Sequence, residues 1–150
     1  MKVKYRNLTE SGTHGDFDMA LQLAQTTKKP LFCNFFEWSE SDSWPGCHDP
    51  AQGIWTHPLV EDIVNRYFTP VAFNLWDKND PNYNQAMHRW SAGLRNSPWG
   101  YVRIVSVDGK EIVAGTGEIT SGRDLPKVLA VLKEAMEALD IDIPEDLASY

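Results

Sequence analysis

The chain has 150 residues, 42% apolar, 11% aromatic and 23% charged, a make-up that suits one soluble domain able to bury roughly two-thirds of its unfolded surface. Fourteen basic residues against twenty-one acidic ones give a net charge of −7, which argues against nucleic acid or an anionic membrane as partner and favours solubility. Its apolar runs are too short to cross a bilayer and the start, MKVKYRNLTESG, lacks the apolar segment of a secretory signal, so a cytoplasmic location is expected.

No repeat, low-complexity tract or Pro/Ser-rich linker interrupts residues 1–150, and a single domain is expected. Asp16 is placed to cap a first helix, whose Phe17, Ala20, Leu21, Leu23 and Ala24 recur at helical spacing until Lys28 and Lys29. Pro30 ends it. Leu31 to Trp38 is nearly continuous apolar and aromatic sequence, the pattern of a strand covered on both faces and therefore central. A polar stretch, Ser39 to Pro50, leads to Thr56, which reads as an N-cap, with Pro58 in the first turn and Leu59, Val60, Ile63, Val64 and Tyr67 as the stripe of a second helix. Pro70 to Trp76 predicts another buried strand, followed by the polar turn DKNDPN and a short helix near Tyr83 to Trp90. Beyond the loop SAGLRNSPWG, Tyr101 to Val107 and Glu111 to Ala114 flank Asp108-Gly109, a strong hairpin signal. Ser121 to Asp140 carries Leu125, Val128, Leu129, Leu132, Met136 and Leu139 on one face, predicting an amphipathic helix with a polar tail after it. This order predicts an α/β fold, a central sheet with helices on both faces.

Specific residues then resemble the thioredoxin-like superfamily over nearly the whole chain. Lys29-Pro30-Leu31-Phe32-Cys33-Asn34-Phe35-Phe36 looks like the strand that leads into the Cys-x-x-Cys loop of those proteins. Cys47-His48, Trp55, Pro58, Val60, Tyr67-Phe68, Pro70-Val71 and Asp77 resemble the branch with a Cys-x-x-Cys-His motif, and Val107-Asp108-Gly109-Lys110 resembles its hairpin. The resemblance implies a thioredoxin-like fold with a central mixed sheet. It also implies that Cys47 is the second cysteine of the motif, so that Trp44 in Trp44-Pro45-Gly46-Cys47 stands where the attacking thiolate belongs. Counting forward from Pro30 instead puts the motif near Glu40 to Ser43, and neither count restores Cys-x-x-Cys. By the same resemblance the buried acid of thioredoxins corresponds to Asn34, which cannot take a proton at neutral pH. Their cis-proline falls near Gly100 or Tyr101, with Pro98 two or three residues early.

A dithiol exchanger needs one thiolate to attack and a second thiol to resolve the mixed disulfide; this loop holds Cys47 alone. A single thiol still acts if a helix N-terminus favours its thiolate, and Cys47, with His48 beside it, is expected to begin such a helix. Asp42 and Asp49 oppose that by raising the thiol. The alternative is that Cys47 packs as a small apolar residue. Cys33, inside an apolar strand, is expected to be a buried hydrophobe, and a Cys33–Cys47 disulfide is permitted by the spacing without being demanded by it. The two cysteines are too few for a disulfide scaffold.

No metal site or cofactor is expected, because Cys47, His48, His57 and His88 lack an organising ligand spacing. His57 reads as a first-turn residue and His14 as part of a Gly-flanked loop. Trp38, Trp44, Trp55, Trp90 and Trp99 fall near the motif end of the sheet, where they either line a groove or complete the core, except that the resemblance implies a core position for Trp55. Phosphate-cradling loops and Ser/His/Asp nucleophile elbows are absent. The expected function is at most a one-cysteine thiol redox activity, thiol-disulfide or peroxide-reducing, at Cys47. Trp44, Pro45, Gly46, His48, Pro98 and Trp99 would form the surrounding surface, and a protein or small-molecule thiol or disulfide would be the partner. The competing expectation is a non-catalytic thioredoxin-like binding module that uses the aromatic groove.

Overall fold

A computed structural model of the chain describes residues 3–7, 17–36, 57–74, 101–115 and 125–150. Among them α1 spans Phe17–Thr27, β1 Leu31–Phe36, α2 Pro58–Tyr67, β2 Thr69–Asn74, β3 Tyr101–Val105, β4 Ile112–Gly115, α3 Leu125–Ala138 and α4 Glu145–Ala148. The strands form one sheet in the order β2-β1-β3-β4. β1 pairs parallel with β2 and antiparallel with β3, and β3 pairs antiparallel with β4. The apolar run therefore occupies a central strand, and the sheet is mixed, as expected from the sequence.

Alternation along the strands sorts the core into two layers. Leu31, Cys33 and Phe35 of β1, Val71 and Phe73 of β2 and Val105 of β3 pack with Ala20 and Ala24 of α1, and the Phe35 and Phe73 rings stack with centroids 5.0 Å apart. On the opposite face Phe32, Ala72, Val102 and Ile104 meet Val60, Ile63 and Val64 of α2, Val128, Leu129 and Leu132 of α3, and Leu147 of α4. Helices thus cover both faces. Gly115 stands in register with Arg103, where an added Cβ would lie 2.8 Å from the Arg103 Cδ. The residue without a side chain is what lets that arginine lie buried.

Several element ends differ from the sequence reading. The N-cap of α2 is His57, not Thr56: its Nδ1 accepts the Leu59 N–H at 3.2 Å, with Pro58 in the first turn. β3 stops at Val105 rather than Val107, because Ser106 already turns the chain: its carbonyl accepts the Gly109 N–H at 2.8 Å, and Gly109 has φ 75°. The polar tail is not merely a tail, since α4 inserts Leu147 fully into the core. Residues 3–7, for which the periodicity gave no element, run beside β2, with the Arg6 N–H donating to the Pro70 carbonyl at 2.8 Å. Their exposure alternates, and Val3, Tyr5 and Asn7 are buried. The Asn7 amide takes both polar atoms of the Ala72 backbone, donating to its carbonyl at 2.8 Å and accepting its N–H at 2.9 Å. A side chain here does what a neighbouring strand would do. The Asp16 cap, the short helix near Tyr83 to Trp90, and Trp38 and Trp76 lie outside the described residues.

Candidate functional site

The topology gathers several chain crossings at one edge of the sheet. β1 ends there at Phe36, in register with Asn74 at the end of β2, and Phe35 faces Tyr101 at the start of β3. Because α2 connects two parallel strands, it runs back against them and begins at that same edge. Residues 37–56 thus leave the sheet after Phe36 and rejoin the described fold at His57, and residues 75–100 leave after Asn74 and return at Tyr101. Ligands of open α/β sheets bind outside the carboxyl ends of strands, where neighbouring connections diverge. Cys47, Trp44, Pro45, Gly46 and His48 belong to the first connection, Pro98 and Trp99 to the second, and all seven lie outside the described residues. So do Asp42, Asp49, Trp55, His14, His88 and Trp90.

Beneath that edge Asn34 points into the layer shared with α2 and α3, on the same face of β1 as Phe32. It is 1% exposed, and its Nδ2 donates to the Tyr5 hydroxyl at 2.8 Å. Its Oδ1 has no hydrogen-bond partner. An amide so placed accepts or donates hydrogen bonds but moves no proton at neutral pH. Tyr5 escaped sequence reasoning because it precedes any periodic segment; the alternation of Val3, Tyr5 and Asn7 is the faint signal it leaves.

Cys33 faces the other layer and is fully buried as a free thiol, as its place in an apolar strand implied. Burial pushes this thiol well above its ordinary range, and the Arg103 guanidinium, in register opposite, pulls the other way more weakly. A neutral, enclosed thiol is a poor nucleophile, and Cys33 is buried as a small apolar residue. Glu61, on the buried face of α2, is a second polar residue that the sequence did not single out: it is 5% exposed and its Oε1 has no partner. His57 serves as a helix cap. It also lines an open cleft between α2 and α4, with Leu59, Asp62, Asp146 and Tyr150. Arg66 answers the cleft's charge: it pairs with Asp62, and that carboxylate, with Asp146 more weakly, favours its charged form. Among the described residues no three His, Cys, Asp or Glu side chains gather as a metal site, and no helix is long and apolar enough to cross a membrane.

This arrangement, a parallel β-α-β unit joined to an antiparallel hairpin and closed by a helix, is a thioredoxin-like fold. The chain is similar to a protein from Bacteroides thetaiotaomicron solved in solution as a "putative disulphide-isomerase", with 17% identity, TM-score 0.56, and coverage of 95% of this chain and 97% of that one. A second solved structure, a DsbH oxidoreductase, has 16% identity, TM-score 0.49, and coverage of 86% of this chain and 87% of that one. No family model matches the chain, and no curated protein matches it.

Proposed function

We propose that the protein is a single-domain cytoplasmic thiol oxidoreductase whose dithiol motif has degenerated and whose chemistry rests on Cys47. What supports this is the edge at which β1 ends. The connection carrying Cys47 and the one carrying Pro98 and Trp99 are attached there on adjacent strands, as a thiol site and the surface around it require. The fold is shared with a protein solved as a "putative disulphide-isomerase". In this reading the Cys47 thiolate attacks a substrate disulfide, forming a mixed disulfide and expelling one substrate thiolate. An external thiol then attacks the mixed disulfide, releasing the Cys47 thiolate and carrying the other substrate half away as a new disulfide. With Trp44 where the other thiol of a pair would stand, Cys47 has no partner thiol in the motif and the external thiol is obligatory. Trp44, Pro45, Gly46, His48, Pro98 and Trp99 shape the surface on which the substrate rests.

The test is disulfide reduction by the full chain with a small external thiol. Cys47→Ser is expected to abolish turnover, while Cys33→Ala retains it. Unchanged turnover in Cys47→Ser removes the redox reading. If that variant also captures partner proteins normally while Trp44→Ala loses them, the protein is a binding module with an aromatic groove.

A further inference from the structure

Glu61 lies on the buried face of α2 beside Val60, Ile63 and Val64. One turn on, along the same helix face, the Asn65 Oδ1 accepts the Lys4 backbone N–H at 2.9 Å. Val3 and Tyr5 pack in one cluster with Val60 and Val64. The strip of α2 that holds Glu61 is therefore the seat of the N-terminal segment. A carboxylate held out of water with an oxygen lacking any partner is costly, whereas the protonated acid is far less so. We propose that Glu61 is a proton-controlled latch: residues 3–7 seat fully on α2 while its carboxyl is protonated, and loosen when it ionises.

The groups around it fit that sense. Burial raises the Glu61 carboxyl above its ordinary range, and the positive amino terminus opposes this more weakly. From the segment itself come the neutral Tyr5 hydroxyl and Lys4, which is exposed. On α2, Asn65 is neutral, and Asp62 and Arg66 pair with each other. The amino terminus travels with the segment, but its opposition is the weaker effect, so a seated segment that keeps water from the carboxyl holds the proton more tightly than a detached one. Its stabilisation is complete below the ordinary carboxyl range and is lost as pH rises through the raised value. The consequence reaches the sheet, because Tyr5 rides on this segment and accepts the Asn34 amide N–H beneath the end of β1. The inference is independent of the reading of Cys47.

The experiment is amide hydrogen exchange of residues 3–7 in the full chain across pH 5 to 8, corrected for intrinsic exchange. Wild-type protection is expected to fall by up to about tenfold for each unit by which the carboxyl is raised, while Glu61→Gln stays protected and flat. Equal pH dependence in both proteins, or a flat wild type, overturns the latch. Should Glu61→Gln fail to fold, a carboxyl-carbon titration of Glu61 in the wild type decides: a midpoint in the ordinary carboxyl range overturns it, and a raised one supports it.

Discussion

The amide of Asn34 and the hydroxyl of Tyr5 meet in a mainly apolar layer, twenty-nine positions apart in sequence. Asn34 stood out only through the resemblance, as the counterpart of a buried acid, and its inability to carry a proton follows from its chemistry alone. Its partner was not legible, because nothing local to Tyr5 says which strand it will lie beside. Removing the hydroxyl strands the Asn34 Nδ2 donor next to an Oδ1 that already lacks a partner. Tyr5→Phe is accordingly expected to cost about 1–3 kcal/mol, read as a lower denaturant midpoint at unchanged slope. Asn34→Leu in the Tyr5→Phe background should recover part of that loss, since two apolar groups leave nothing unpaired. At the same scale Cys33 was read as a buried hydrophobe from its neighbours in the strand, and the structure agrees because both faces of β1 are covered. Cys47 belongs to a connection outside the described residues.

Helices and strands were largely legible, and their ends less so. Apolar spacing placed α1, α2 and the long C-terminal helix, and Pro30 announced the end of α1. What stops the helix is nevertheless Lys28, which takes the left-handed conformation with φ 57° while the Lys29 N–H returns to the Ala24 carbonyl at 3.2 Å. Asp140 does the same after α3, with φ 54° and the Ile141 N–H bonded to the Met136 carbonyl at 2.8 Å. Glycine is the usual residue at such an end, so neither lysine nor aspartate signalled it. Both positions carry a Cβ where backbone without one is easier. Lys28→Gly and Asp140→Gly are each expected to raise stability by several tenths of a kcal/mol and to add independently, checked by melting temperature. The hairpin shows a related limit. Asp108-Gly109 correctly marked the turn, yet the loop closes farther out, where the Ser106 N–H donates to the Glu111 carbonyl at 2.9 Å. The Asp108 carboxylate accepts from the Ser106 hydroxyl and the Lys110 N–H, and these bonds hold it below its ordinary value.

At the scale of the whole molecule, two apolar layers on either side of one sheet hold the chain together, and α4 closes one of them. Leu147 is wholly buried with α2 and α3 residues in that layer. Leu147→Ala is expected to cost about 2–5 kcal/mol through the lost contacts and the cavity left behind, measured by denaturant unfolding. Among the described residues the sequence by itself determined the four strands, the three longer helices, their order and the central position of β1, because apolar period and continuity are local properties that fix which faces must be covered. Only the tertiary structure decided that residues 3–7 lie beside β2, that a short polar stretch anchors the core through Leu147, and that Asn34 and Glu61 each keep a buried oxygen without a partner. Burial and pairing depend on segments far apart in the chain being brought together, and no local pattern records which distant neighbour a side chain will meet.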